Sequence, residues 1–196
     1  PYPETTGYII PTLLRYADRC GDSSYVDRAR SMGDWEIDIQ LPSGAVRGGR
    51  GINDYPIVFN TGQVMLGWCS LYRVTREDRF LAAAVDAANW LLTVQDADGK
   101  WRRHSFMDAP HAYHTRVAWA LLETYQLAGE DRYRHAAENN IKWALSSSGR
   151  HGWLEYMGFT PDEASLTHTI AYTLRGLLES ARFLTEGTAN EARDLV

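Results

Sequence analysis

The sequence predicts an all-α protein, an α/α toroid in which helical hairpins form an inner and an outer layer around a central axis. Three observations predict this fold. A four-position pattern recurs three times along the 196 residues, each copy has the apolar periodicity of a helix, and each follows a second, more apolar helical stretch. Helix pairs that recur at a fixed interval are typical of toroids and solenoids.

The recurring pattern predicts three outer helices. An acidic residue is followed by an aromatic residue at +3, an alanine at +7 and a tryptophan at +13. The copies begin at Asp22, Glu77 and Glu130, so the intervals between them are 55 and 53 residues. The acidic residue falls in the first turn of each helix, where the helix dipole favours negative charge.

The stretches that precede the outer helices are predicted to form the inner layer. They cover 6–17, 61–74, 114–127 and 168–184. In the second stretch apolar residues occur nearly all round the helix, which indicates burial on every side. The short breaks at Gly21, Arg76 and Gly129 predict that the two helices of each pair run antiparallel.

The connections from each outer helix to the next inner helix favour a toroid over a solenoid, because long ordered loops on one rim usually line a functional mouth. These loops span 41–60, 99–113 and 149–167. We expect one toroid domain over 1–196, with repeat units 4–46, 60–101, 113–154 and 167–196. A closed ring of six such hairpins needs more than roughly 300 residues, so the ring is expected to be incomplete, as a fragment or as a chain that another copy completes.

Composition and charge exclude several classes of protein. The chain has 20 Lys and Arg against 25 Asp and Glu, a net charge of −5, so no nucleic-acid partner is expected. No apolar run approaches the roughly 20 residues of a membrane span, so no membrane partner is expected either. Cys20 and Cys69 match neither a disulfide framework nor a zinc spacing. No metal or other cofactor is therefore expected, and the cytoplasm is the favoured compartment.

The turn after the second outer helix carries a known motif. The segment Gln95-Asp-Ala-Asp-Gly99-Lys-Trp101 has the form Q-x-x-x-G-x-W, and 40–46 is a weaker copy with Val46 in place of Trp. It resembles the QW repeat of the terpenoid cyclase and prenyltransferase toroids. Similar turns occur in carbohydrate-active α/α toroids such as polysaccharide lyases, unsaturated glucuronyl hydrolases and sugar epimerases. The glutamine is expected to cap the helix end, and the aromatic residue to cover it.

The cyclase and prenyltransferase branch of this resemblance meets a departure. Those cyclases protonate their substrate with a D-x-D-D motif, which this sequence lacks. Prenyltransferases need a zinc site of Asp, Cys and His, and no such trio surrounds Cys20 or Cys69. The resemblance therefore implies the fold, and it favours the carbohydrate-active families over the terpenoid ones.

The first turns of the predicted inner helices are polar and are expected to face the mouth. His114 and His168 occupy equivalent places in consecutive units, with Tyr113 and Arg116 beside the first. A helix N-terminus favours the neutral imidazole that a general base requires. These four residues are the candidate catalytic residues, suited to abstracting a proton next to a carboxylate. Packing in the core is the alternative role for either histidine.

The candidate substrate-binding residues lie on the same rim or on the inner helices, where aromatic side chains would stack on sugar rings and polar ones would bind their substituents. They are Glu4, Asp54, Asn60, Gln63, Trp68, Trp119, Trp153 and Tyr156. Arginines on the rim loops, such as Arg47 and Arg102, would suit an anionic saccharide.

The sequence thus predicts a carbohydrate-active enzyme whose substrate is a poly- or oligosaccharide, with uronate lyase or epimerase chemistry as the leading interpretation. A glycoside hydrolase is the first alternative, and it would need two carboxylates across the scissile bond. The candidates are Glu4, Asp54, Asp108, Glu155, Asp162 and Glu163. A terpenoid-cyclase-like enzyme and a non-catalytic helical-repeat binding module are further alternatives. A homo-oligomer that completes the ring is also expected.

Overall fold

The computed structural model describes residues 2–149, 152–160 and 163–196, and these form eight α-helices. The helices are α1 (Pro3–Cys20), α2 (Ser24–Asp38), α3 (Val58–Thr75), α4 (Asp78–Val94), α5 (Thr115–Ala128), α6 (Asp131–Ser146), α7 (Thr167–Ser180) and α8 (Glu186–Asp194). A strand β1 (Arg47–Gly48) pairs antiparallel with β2 (Asn53–Pro56) in the first long loop. Short 3-10 turns, Phe106–Asp108 and Ala112–His114, precede α5.

The odd-numbered helices form an inner layer and the even-numbered helices an outer one. Helix α3 packs between α1 and α5, α5 packs between α3 and α7, and each inner helix also packs on the outer helix that follows it. The predicted α/α toroid is therefore confirmed. The last predicted inner stretch is too long, because α7 ends at Ser180 and the chain turns before α8 begins. Within the described residues, no helix combines the length and apolar character that a bilayer span needs.

Glycines set the spacing of the inner helices. A Cβ atom added at Gly7 would lie 2.6 Å from the carbonyl oxygen of Gln63, and one added at Gly67 would lie 2.7 Å from that of Gly7. At Gly176 on α7 the added atom would lie 2.5 Å from the backbone nitrogen of Arg116. The inner helices are thus in backbone contact, which only a residue without a side chain permits. This contact brings their first turns together at one rim.

The first three outer helices end in the same turn. In each turn one backbone N–H donates to the carbonyl oxygen four residues later, at 2.8, 2.8 and 2.7 Å. The donors are Leu41, Asp96 and Gly149. Gly44, Gly99 and Gly152 follow at equivalent positions with φ of 92°, 88° and 73°, a conformation that favours glycine. The turn therefore repeats three times, although the sequence motif was recognised only twice.

The glutamine of the motif ties each turn to the next outer helix. Gln95 Nε2 donates to the carbonyl oxygen of Gly99 at 3.1 Å and to that of Ala136, on α6, at 2.9 Å. Gln40 makes the equivalent bond to the carbonyl oxygen of Ala83, on α4, at 3.0 Å. This corrects the expected role of the glutamine. It links consecutive outer helices, because the turn packs directly on the neighbouring helix.

Candidate functional site

A cavity of about 970 Å³ opens between the inner helices. Each inner helix lines it with one face, because residues three or four apart lie on the same side of a helix. The main lining residues are Tyr8, Thr12, Arg15, Leu66, Ser70, Arg73, Arg116, Trp119, Glu123, Tyr172, Arg175 and Glu179. The cavity is thus aromatic near the N-terminal ends of the helices and charged towards their C-terminal ends.

Arg116 lies in the wall of this cavity and is only 4% exposed. Its Nε donates to Gln63 Oε1 at 2.7 Å. The centre of the guanidinium group lies 4.9 Å from the ring centroid of Tyr172 and 5.9 Å from that of Tyr8. Burial, together with the charge of Arg175, lowers the pKa of Arg116 to about 10. The guanidinium group is therefore charged at neutral pH, and one amide and two phenol rings hold it in place.

Glu4 lies in the first turn of α1, beside the aromatic end of the cavity. Tyr172 Oη donates to Glu4 Oε1 at 3.4 Å. Burial raises the pKa of Glu4, although the hydrogen bond from Tyr172 and the charges of Arg116 and His168 oppose the increase. A raised pKa favours the protonated form that a general acid requires. Glu4 is therefore a candidate for one of the two carboxylates that the hydrolase alternative needs.

His114 occupies the core. It is 1% exposed, and its ring centroid lies 5.1 Å from that of Tyr113 and 6.1 Å from that of Trp101. Neither ring nitrogen has a hydrogen-bond partner among the described residues, and burial holds the pKa of His114 well below its usual range. The imidazole is neutral, as a base must be. It does not line the cavity, however, so its position corresponds to the packing alternative.

The other two candidate catalytic residues lie near Glu4. His168 is exposed in the first turn of α7, with its ring centroid 5.7 Å from that of Tyr172. Tyr113 is buried, and its ring stacks on His111 at 4.6 Å. Burial and the nearby Glu4 carboxylate raise the pKa of Tyr113. Of the four candidates, only Arg116 lines the cavity. His168 packs beside Tyr172 at its aromatic end, whereas Tyr113 packs against both His111 and His114.

Three predicted substrate-binding residues on α3 and α5 lie at or near the cavity. Trp119 lines it, and its Nε1 donates to Glu123 Oε1 at 2.7 Å. Gln63 accepts the bond from Arg116 and is fully buried. Asn60, one turn before Gln63, is also buried, and its Nδ2 has no hydrogen-bond partner among the described residues.

Trp68 does not face the cavity, and Asp54 lies on the loop before α3, as predicted, but outside the cavity lining. Trp68 is fully buried, and its Nε1 donates to the carbonyl oxygen of Gly33 on α2 at 3.1 Å. It faces the outer layer, because it lies about 200° around the helix from Leu66, which faces the cavity. Asp54 is exposed on β2 in an ion pair with Arg47. Neither residue can contact a saccharide in the cavity from these positions.

Trp153 and Tyr156 belong to a second, smaller pocket of about 460 Å³ on the loop rim. Glu155 and Glu163 also line it. His111 joins the loops beneath this pocket, with its Nε2 2.9 Å from the carbonyl oxygen of Phe106 and its Nδ1 3.1 Å from that of Gly158. The predicted aromatic binding residues are therefore divided between the rim and the cavity.

The candidate carboxylates of the hydrolase alternative are equally dispersed. Only Glu4 adjoins the aromatic end of the cavity. Asp108 lies in a 3-10 turn with φ of 49°, and Asp162 lies outside the described residues. Glu123, which was not a candidate, lines the cavity two turns after Arg116 and forms an ion pair with Arg73.

Tyr8 was among the first-turn residues expected to face the mouth, although it was not a candidate site residue, and Tyr172 and Arg175 were not candidates either; all three surround Arg116 or Trp119. A signal for them was present. Each lies three, four or seven residues after a polar first-turn residue, so a projection of the inner helices would have placed them on the same face.

The described residues offer no group of three or more His, Cys, Asp or Glu side chains arranged to hold a metal ion. Burial raises the pKa of the Cys69 thiol to about 11, so this residue is an unreactive thiol in the core.

Several solved structures with a similar fold are glycoside hydrolases. The inactive variant of the α-1,6-mannanase GH76A of Salegentibacter sp. HEL1_6, in complex with α-1,6-mannotriose, matches with a TM-score of 0.77 and 14% identity, over 99% of this chain and 62% of that one. The family 76 mannosidase Bt3792 from Bacteroides thetaiotaomicron VPI-5482 matches with a TM-score of 0.74 and 14% identity, over 99% and 58%. The GH127 β-arabinofuranosidase BT3674 matches with a TM-score of 0.68 and 16% identity, over 98% and 33%.

At these identities the likeness shows the fold, and this chain spans less than two thirds of each of the three proteins. A comparison with curated protein sequences gave no significant match. The family model described as "Beta-L-arabinofuranosidase, GH127 catalytic domain" matches residues 52–186, which is more than half of the chain. The matched segment includes Gln63, Arg116 and Tyr172, whereas Glu4 precedes it. The chain therefore belongs to the family of the GH127 β-L-arabinofuranosidase catalytic domain.

Proposed function

We propose that the protein is a glycoside hydrolase and that Glu4 donates a proton to the glycosidic oxygen at the aromatic end of the cavity. The observation that carries this proposal is the half-buried Glu4 carboxyl group, whose pKa is raised beside a saccharide-sized cavity. Family membership supports hydrolysis, the first alternative from the sequence, over uronate lyase or epimerase chemistry. The enclosed position of His114 weakens the case for a histidine base.

The contacts of Glu4 suit a general acid. Tyr172 binds Glu4 Oε1 and thereby fixes the orientation of the carboxyl group. Burial raises the pKa of Tyr172, so its hydroxyl stays protonated and remains a donor. When the protonated carboxyl transfers its proton to the leaving oxygen, the positive charge of Arg116 favours the carboxylate that remains. The contacts of Glu4 thus stabilise both the protonated and the ionised form of its carboxyl group.

The cavity suits a saccharide in size and lining. Its volume of about 970 Å³ is large enough for several sugar rings. Tyr8, Trp119 and Tyr172 provide aromatic faces against which the apolar faces of sugars stack. We propose an L-arabinofuranoside as the first substrate to test, because of the family match. A single toroid domain over 1–196 and a homo-oligomer that completes the ring remain predictions.

Hydrolysis of aryl glycosides tests this function. The protein, expressed with the full length that its gene encodes, is incubated with p-nitrophenyl β-L-arabinofuranoside, α-mannoside and further glycosides. Release of the aryl alcohol from at least one of them is expected. Glu4→Gln should lower kcat/KM by about 10²- to 10⁴-fold for an alkyl glycoside, which needs a proton donor.

A matched pair of leaving groups distinguishes a missing acid from a damaged fold. A dinitrophenyl glycoside needs no proton, so Glu4→Gln should cleave it at nearly the wild-type rate. Glu191→Gln, which changes an exposed carboxylate on α8, is the control and should behave as wild type with both substrates. Equal losses with the two leaving groups, or no hydrolysis of any glycoside by the wild-type protein, would refute the proposal.

A further inference from the structure

We infer that the cavity binds an acidic saccharide, with the carboxylate of a uronic acid residue held by Arg116. This inference rests on the proposed hydrolase function, because it assigns the substrate class of the same cavity. Its basis is the positive charge of the buried Arg116, which no nearby carboxylate of the described residues balances. A buried guanidinium group without a counter-ion destabilises a fold, since desolvation of a charge has a large free-energy cost.

Arg116 has no counter-ion among the described residues. Its only hydrogen bond is the one from Nε to the neutral Gln63, so both terminal nitrogens are left without a protein acceptor. Glu4 lies across the Tyr172 hydroxyl and forms no ion pair with Arg116. By contrast Arg175, deeper in the cavity, lies 3.8 Å from a carboxylate oxygen of Glu179. Arg73 and Arg182 in the cavity lining also form ion pairs, with Glu123 and Glu179, whereas the buried Arg116 forms none among the described residues.

Arg116 lines the cavity, and its two terminal nitrogens carry parallel N–H groups that match the two oxygens of a carboxylate. The ring centroids of Tyr8, Trp119 and Tyr172 lie 4.9 to 5.9 Å from the guanidinium group, which is only 4% exposed. In such a setting an ionic hydrogen bond is stronger than in bulk water.

Gln63 holds Arg116 in place from behind the cavity wall. Its Oε1 accepts the hydrogen bond from Arg116 Nε at 2.7 Å, and its side chain is fully buried outside the cavity lining. This bond occupies Nε and leaves the terminal nitrogens of Arg116 as donors, and a donor pair on a cation suits an anion.

The charge of the whole cavity agrees with this assignment. Five arginines and three acidic residues line it, although the chain as a whole carries a net charge of −5. The arginines are Arg15, Arg73, Arg116, Arg175 and Arg182. A concave surface with the opposite sign to the rest of the protein attracts anionic ligands and raises their rate of association.

Binding measured by calorimetry tests the inference without any need for catalysis. The full-length protein is titrated with a trimer of galacturonic acid and with the methyl ester of the same trimer, which removes the charge and keeps the sugar rings. The acid should bind about 10- to 100-fold more tightly, the difference expected for hydrogen bonds to a charged group. Equal affinities for the two trimers would overturn the inference. This comparison uses only the wild-type protein, so it does not depend on the folding of a variant.

Variants of Arg116 then test whether its guanidinium group is responsible for the preference for the acidic trimer. Arg116→Met should abolish the preference for the acid, and Arg116→Lys should retain part of it, because a lysine keeps the charge and loses the paired N–H groups. Arg28→Gln removes an exposed arginine from the outer helix α2 and should keep the full preference. Unchanged preference in Arg116→Met with wild-type helicity would overturn the inference. Equal or tighter binding of a sulfated oligosaccharide would overturn the assignment of a carboxylate.

Failure of this inference and failure of the proposed hydrolase function give different results. If glycosides are hydrolysed and the acid is not preferred, only the inference fails. If the acid is preferred through Arg116 and no glycoside is cleaved, the hydrolase proposal fails, and the preference still assigns an acidic saccharide to the cavity.

Discussion

Replacing Gly176 with alanine tests whether the inner helices must touch at the backbone. The added Cβ atom would lie 2.4 Å from Thr115 Oγ1 and 2.5 Å from the backbone nitrogen of Arg116. Thr115 Oγ1 is not free to move aside, because it donates to the carbonyl oxygen of Thr173 at 2.9 Å and is buried. The helices α5 and α7 must therefore separate to accept the methyl group.

The free energy of unfolding should fall by about 0.5–3.5 kcal/mol. Overpacking costs about 1–3 kcal/mol, loss of the buried Thr115 bond adds about 0.5–1.5 kcal/mol, and the better helix propensity of alanine returns about 1 kcal/mol. For a chain of this size the melting temperature should fall by roughly 1–14 °C. Because Gly176 touches the backbone of Arg116, saccharide binding should weaken as well.

Gly187→Ala is the matched control, since nothing lies within 4 Å of a Cβ atom there. In helix α8 the same change should stabilise the protein by about 0.4–1 kcal/mol, because alanine restricts the unfolded chain. Urea denaturation and thermal melting of the two variants therefore give opposite signs. If both variants shift the melting temperature in the same direction, or if Gly176→Ala melts no lower than wild type, the inner helices do not depend on backbone contact at this position.

Two further predictions concern the outer layer. Burial raises the pKa of Glu36 to about 9, and neither of its carboxyl oxygens has a hydrogen-bond partner among the described residues. The folded state therefore keeps a proton that the unfolded chain releases, and stability falls by up to about 1.4 kcal/mol per pH unit as pH rises from 5 to 8. Glu36→Met should stabilise the protein more at pH 8 than at pH 5 in urea titrations. The control Asp38→Asn changes an exposed carboxylate on α2 and should show no such pH dependence. An equal effect of Glu36→Met at both pH values contradicts this reasoning. Gln95→Ala removes the hydrogen bond to the carbonyl oxygen of Ala136 and should lower the free energy of unfolding by about 1–3 kcal/mol. The control Gln126→Ala changes an exposed glutamine and should have little effect. Similar melting curves for these two variants would refute the linking role of Gln95.

The fold could be predicted from the sequence because its pattern is local. Helical periodicity and acidic first turns can be recognised within a single hairpin, and the repeat of 53 to 55 residues appears when one hairpin is compared with the next. The third turn was missed because Ser148 stands where the first two units have glutamine. The interval of 53 residues from Gln95 to Ser148 would have identified it, since Gly152 and Leu154 keep the register of Gly99 and Trp101.

The site was harder to predict, because it depends on which way each helix faces. Helix α3 is apolar nearly all round, so its periodicity could not show that Trp68 faces α2. His114 and His168 are equivalent in the repeat, yet the turn Ala112–His114 directs one ring into the core and α7 leaves the other exposed. A repeat pattern specifies the position of the backbone and not the packing around an individual side chain.

The contact that defines the site comes from the curvature of the ring. Tyr172 and Glu4 are 168 residues apart, and the rings of Tyr172 and Phe59 lie 5.4 Å apart although they belong to helices α7 and α3. No single repeat unit contains this arrangement. The inner layer must curve enough to bring its first and fourth helices within reach of one phenol group. Tyr172 then separates the acid Glu4 from the cation Arg116 while contacting both. This separation leaves Glu4 and Arg116 without a direct ion pair, and burial raises the pKa of Glu4 although the charge of Arg116 opposes the increase.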